Sequence, residues 1–117
     1  MQVTGNVYYS PEASGLTIFD SIDTAGSYEF DIFLILMDEN KNLYYCKDSG
    51  CSCPVPFEDV TNVDEITLST FYNFEQALTN HYNLSKEDFL RIRKNVKDHL
   101  EIPLKNVVND ASDFFYN

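Results

Sequence analysis

Tyr28-Glu29-Phe30-Asp31-Ile32-Phe33-Leu34-Ile35-Leu36-Met37 is the stretch that decides the fold. Read with a period of two, Tyr28, Phe30, Ile32, Leu34 and Leu36 fall on one face, and Glu29, Asp31, Phe33, Ile35 and Met37 on the other. The first face is apolar throughout. The second starts acidic and ends apolar, so only its later half should be covered by other elements.

Turn signals bound this strand on both sides. Residues 23–27, Asp-Thr-Ala-Gly-Ser, are small and polar, and residues 38–42, Asp-Glu-Asn-Lys-Asn, make a second turn. Before the first turn, residues 15–23 carry Leu16, Ile18 and Ile22 at alternating positions. After the second, the Tyr-rich residues 43–47 read as a third strand, and residues 3–9 as a fourth at an edge. Short loops between the three central segments predict an antiparallel meander. Pro54 and Pro56 fix two φ angles and remove two donors, which makes 51–57 a loop.

Beyond residue 65 the period changes. Residues 69–80 fit a helix with Phe71, Phe74, Ala77 and Leu78 near one stripe. Ser85 is placed to cap a helix over 86–100, where Glu87 and Asp88 suit the positive end of the dipole. Phe89, Ile92, Val96 and Leu100 form its apolar stripe. Pro103 ends or restarts the helix, and apolar residues between Leu104 and Phe115 allow a last helix. The expected class is α+β: an antiparallel β-meander followed by two or three helices packed on one face.

The length of 117 residues predicts a single domain, 1–117, with an acidic β half over 1–65 and a helical half over 66–117. Nineteen acidic against eight basic residues give a net charge of −11, and 12 of the acids lie in residues 1–65 with only two lysines. That balance opposes direct binding to nucleic-acid phosphates or to an anionic membrane. No apolar run approaches the roughly 18 residues of a membrane span and no signal segment opens the chain, so a cytoplasmic location is expected.

Catalytic patterns are missing. No Ser-His-Asp order, no His-x-x-x-His and no phosphate-cradling glycine loop can be written from this sequence. Adjacent carboxylates such as Asp64-Glu65 do not aim at one point as an acid–base pair must. Cys46, Cys51 and Cys53 have poor spacing for zinc and give an odd count, so they read as small apolar side chains in a tight turn around Gly50. His81 and His99 read as partly exposed helix residues. Neither a metal nor a cofactor is expected, and no enzymatic activity.

The acidic half carries the functional signal. Asp20, Asp23, Glu29, Asp31, Asp38, Glu39, Glu58 and Asp59 are the candidate partner-binding residues. Clustered like charges repel and cost stability, a cost that a basic partner would offset. A domain this size is roughly 35 Å across, and a DNA duplex of that length carries about 20 charges. Half of that charge density is present here, compatible with a DNA mimic without requiring one.

The block Tyr8-Tyr9-Ser10-Pro11-Glu12, then Gly15-Leu16, then Tyr28-Glu29-Phe30-Asp31, continues with Leu43-Tyr44 and Asp48-Ser49-Gly50-Cys51-Ser52-Cys53-Pro54-Val55-Pro56-Phe57-Glu58. This resembles a family of small uncharacterised proteins of tailed bacteriophages and prophages. The resemblance covers about residues 8–60 and rests on the Ser-Gly-Cys-Ser-Cys-Pro-x-Pro-Phe-Glu core. It implies a source and no activity. Small size, acidity and this resemblance lead to the expectation of a phage inhibitor of a host nucleic-acid machine, such as a CRISPR nuclease. The alternative is a non-inhibitory phage accessory module, including a small structural zinc protein.

Overall fold

A computed structural model describes residues 1–51 and 54–101. Its order is β1 (Leu16–Asp23), β2 (Glu29–Asp38), β3 (Leu43–Cys51), β4 (Asp64–Ile66), α1 (Phe71–Thr79) and α2 (Lys86–His99), with a 3-10 turn at Pro11–Ser14. The strands form one antiparallel sheet in the spatial order of the chain. The α+β meander expected from the sequence is therefore the architecture. The possible helix beyond Pro103 lies outside the described residues.

β2 pairs with β3 from Glu29 to Met37 and with β1 from Ile32 to Asp38, and its stretch from Ile32 to Leu36 is buried on both faces. Phe30, Ile32, Leu34 and Leu36 join Val7, Leu16, Tyr44, Phe57 and Val63 in one core. Phe33 and Ile35 join Leu43, Ile66, Phe71, Phe74, Leu78, Ile92 and Val96 in the other, so the helices cover the second face. The phase expected from the alternation holds, and the early, acidic part of that face stays outside the helical core.

Phe33 is the hub of the helical side. Its ring stacks parallel to Tyr45 at 5.7 Å and meets Phe74 and His81 edge-on at 5.9 and 5.7 Å. α1 contributes Phe71, Phe74 and Leu78, and α2 contributes Ile92 and Val96. α2 starts as expected: the Asp88 N–H donates to Ser85 Oγ at 3.1 Å. Glu75 on α1 pairs with Arg93 on α2, tying the helices together.

Residues 3–9 are not a strand. Gly5 takes a positive φ of 71°, and Asn6 Oδ1 accepts the N–H of Tyr8 and of Tyr9, so the segment turns instead of extending. It lies over the first face, where Val7 is fully buried and Asn6 Nδ2 donates to the Pro56 carbonyl. The fourth strand is β4, three residues paired to β3. The sequence hides it because three residues show no period.

β3 runs four residues past the expected end at Lys47. Ladder pairing to β2 carries it through Phe30↔Gly50 and Glu29↔Cys51. Gly50 is thus a strand residue and not the centre of a turn. A Cβ there would lie 3.0 Å from the Phe30 ring and 3.2 Å from Pro54, so the missing side chain admits Phe30 to the core. At the outer edge, a bulge between Ile18 and Asp20 interrupts the β1 register, and Ser21 N–H donates to Asp20 Oδ1. Both features blunt an exposed edge against further strand pairing.

Phe33→Ala should cost about 3–5 kcal/mol, because three aromatic partners lose their common contact. Urea unfolding measures it. A midpoint and slope equal to wild type would show that the second core is not organised around Phe33.

Candidate functional site

The candidate acidic residues divide into those used inside the fold and those displayed. Asp20 is ion-paired with Arg91 at 2.8 Å, and its side chain is 17% exposed. Asp23 Oδ1 accepts the N–H of Ala25 at 3.1 Å and of Asp31 at 3.0 Å, holding the β1–β2 turn closed. Asp31, expected to be exposed, has a side chain only 20% accessible, with Oδ1 3.8 Å from His81 Nε2. The physical reason is burial by the segment joining the two helices, which packs over the first half of β2.

Asp38 organises the β2–β3 turn. Its carboxylate accepts the Asn40 and Asn42 N–H groups, the Asn42 side-chain amide and the Tyr44 hydroxyl. Burial pushes its pKa up, but the hydrogen bonds from Asn42, Tyr44 and Asn40 together outweigh burial and hold it below the ordinary carboxyl value. Tyr44 responds in the opposite sense: burial and the Asp38 carboxylate push its hydroxyl up to about 12.

Glu29, Glu39, Glu58 and Asp59 are exposed. They do not converge. Glu29 and Asp38 stand at opposite ends of the ten-residue β2, about 30 Å apart, and their odd separation puts them on opposite faces. The candidates at the two ends of β2 therefore serve separate regions of surface. Asp64 and Glu65 on β4 are exposed as well, extending the acidic margin to the other edge of the sheet.

A polar lock that no local pattern foretells closes one end of the molecule. His81 lies between α1 and α2 and is 3% exposed, not a partly exposed helix residue. Its Nε2 sits 3.1 Å from Thr24 Oγ1 and 3.0 Å from the Asp31 carbonyl. Thr24 Oγ1 donates to the Tyr82 carbonyl at 2.6 Å. His81 Nδ1 is buried with no partner among the described residues. The lock joins the β1–β2 turn, the start of β2 and the interhelical segment. His81 and Tyr82 lie 50 to 58 residues from the groups they bond, so local patterns carry no trace of the lock.

Cys46 and Cys51 occupy β3 at odd separation, on opposite faces. Cys46 packs against the first core, and burial, with Asp48 and Asp64 nearby, pushes its thiol up to about 12. A protonated, half-buried thiol is a poor nucleophile and a poor metal ligand. Among the described residues no three His, Cys, Asp or Glu side chains are grouped to hold a metal ion.

Two shallow concavities flank β4. One, about 380 Å³, is lined by Lys41, Glu65, Ile66, Leu68, His99 and Leu100. The other, about 400 Å³, is lined by Tyr45, Asp64, Glu65, Thr70 and Asn73. Burial first and Asp64 second raise the Tyr45 pKa.

Because the native Asp38 pKa is depressed, its stabilising contribution is complete above the unfolded value of about 3.9 and is lost as pH falls through the lower native value. Asp38→Asn should lower stability at pH 7, and the difference from wild type should shrink below about pH 4. Denaturant titration of both proteins from pH 7 to pH 2 checks this. A difference that stays constant to pH 2 would exclude a structural role for the Asp38 charge.

No curated protein and no solved structure is similar enough to match this chain. A family model described as a domain of unknown function, DUF7574, matches residues 5–110. The matched range takes in the sheet, both helices and the segment that covers the first face, whereas the resemblance noted in the sequence stopped near residue 60. The chain belongs to the DUF7574 family.

Proposed function

We propose that this chain is a small acidic interaction protein of phage origin. It inhibits a host nucleic-acid-acting defence complex, such as a CRISPR effector, in the bacterial cytoplasm. It does so by occupying a basic surface that otherwise holds nucleic acid. The observation that carries this reading is the charge distribution. Twelve acids stand against two lysines in residues 1–65, and Glu29, Glu39, Glu58, Asp59, Asp64 and Glu65 are exposed. A basic channel and an acidic protein attract at long range and compete with phosphate for the same cations. No described helix is long and apolar enough to cross a membrane, which is compatible with work in solution.

Asp20, Asp23, Asp31 and Asp38 drop out of the contact set, because Arg91, the β1–β2 turn, the interhelical segment and the β2–β3 turn already use them. Glu29, Glu39, Glu58 and Asp59 remain the contact residues of choice. They border the sheet on more than one side, so the partner surface is broad rather than a single pocket.

The full chain, immobilised and exposed to a bacterial lysate, tests this reading. The expected captured species is a nucleic-acid-binding protein that elutes by about 0.5 M salt, where the Debye length is under about 5 Å. Its nucleic-acid binding should be lost in the presence of the chain. Lys substitution of Glu29, Glu39, Glu58 and Asp59 together should abolish capture. A captured partner that survives 0.5 M salt and the reversal would overturn the acidic-surface mechanism.

A further inference from the structure

The larger-mouthed of the concavities beside β4 has Glu101, the last described residue, in its wall. Lys41, Ile66, Leu68, His99 and Leu100 line the same space of about 380 Å³. Its apolar side continues the second core to the surface. Ile66 belongs to that core and Leu100 packs against it, whereas Leu68 is 65% exposed. A leucine exposed on its own is ordinary. This one borders a hollow whose other apolar residues already belong to the core.

The end of α2 is fixed against this hollow. His99 Nε2 lies 2.6 Å from the Lys41 carbonyl, and the His99 ring meets Phe19 edge-on at 5.3 Å. The Leu100 and Glu101 N–H groups close the last turn on the Val96 and Asp98 carbonyls. Glu101 then takes a φ of 57°, the left-handed conformation that ends a helix and turns the chain.

Residues 102–117 lie outside the described residues, but their sequence carries a single apolar stripe. Leu104, Val107, Val108, Ala111, Phe114 and Phe115 recur at helical spacing, and every position between them from Lys105 to Asp113 is polar. A segment with one apolar face needs cover. The tether is short: Leu104 follows Glu101 by three positions, so it stands within about 11 Å of a residue that lines the hollow. A link of this length holds the stripe beside the hollow at an effective concentration on the order of millimolar.

We infer that the hollow between β4, the β2–β3 turn and the end of α2 is a docking groove for the chain's own residues 104–111, with Leu104, Val107 and Val108 seated against Leu68 and Ile66. The contact is an intramolecular form of a helix laid in a groove. None of Glu29, Glu39, Glu58 and Asp59 lines the groove, so this inference stands apart from the acidic-surface reading.

Methyl-resolved NMR of the full chain tests it. The Leu68 methyls should show nuclear Overhauser contacts to the methyls of Leu104, Val107 or Val108 within one molecule. In Leu104→Asp/Val107→Asp those contacts should be lost and the Leu68 and Ile66 methyl signals should shift, while the Phe33 and Ile35 amide signals keep their positions. The wild-type contacts decide the matter on their own if the variant fails to fold. Absence of any such contact in the wild type, or unmoved Leu68 and Ile66 signals in the folded variant, would overturn the inference. Contacts found only between labelled and unlabelled molecules in a mixed sample would also overturn it, and would give the groove to a second copy.

Discussion

β2 is apolar on both faces, and that single constraint dictates the rest of the structure. A strand with one wet face needs one cover. Here Phe30, Ile32, Leu34 and Leu36 require one layer, and Phe33 and Ile35 require another. The helices provide the second layer with a regular stripe from each. The first is provided by irregular chain, in which Val7, Phe57 and Val63 are each at most 2% exposed. Irregular cover leaves backbone polar groups that no ladder satisfies. Asn6 and Asp48 answer part of that need, Asn6 through the amides of Tyr8 and Tyr9 and Asp48 through the amide of Phe57.

Carboxylates do two kinds of work in this chain. Those of Asp20, Asp23, Asp38 and Asp48 each accept hydrogen bonds that close a turn, hold a loop or fix a helix to the sheet. Those of Glu29, Glu39, Glu58 and Asp59 stand in solvent. The distinction follows side-chain length in part. Aspartate reaches its own neighbouring amides and so serves turns, while glutamate extends past them. A partner would meet the displayed set, and the structural set would keep the display in place.

How much could be read from residues alone follows the range of each interaction. The phase of β2, the meander and the cap at Ser85 depend on neighbours within a few positions, and the periodicity of 28–37 and the Ser85-to-Asp88 spacing expose them. The cover formed by residues 3–9, the extension of β3 to Cys51 and the strand at Asp64–Ile66 depend on what lies across the sheet. Val3 and Val7, four positions apart with Gly5 between them, could not outweigh the Asn6 turn. For the candidate site, the abundance of acid was legible and its allocation was not. Asp20 and Arg91 are 71 positions apart, and nothing local marks the pair. Thr24, Asp31 and His81 are ordinary residues until the fold brings them together.

An excess of displayed, uncompensated acid should cost the isolated protein stability. Salt tests it with no partner present. Displayed like charges repel less when screened, so stability to urea should rise steadily as sodium chloride increases from about 0.02 to 0.3 M, where the Debye length falls from roughly 20 to 6 Å. If stability instead stays flat or falls over that range, the carboxylates are compensated within the fold, and the charge is not held in reserve for a basic partner.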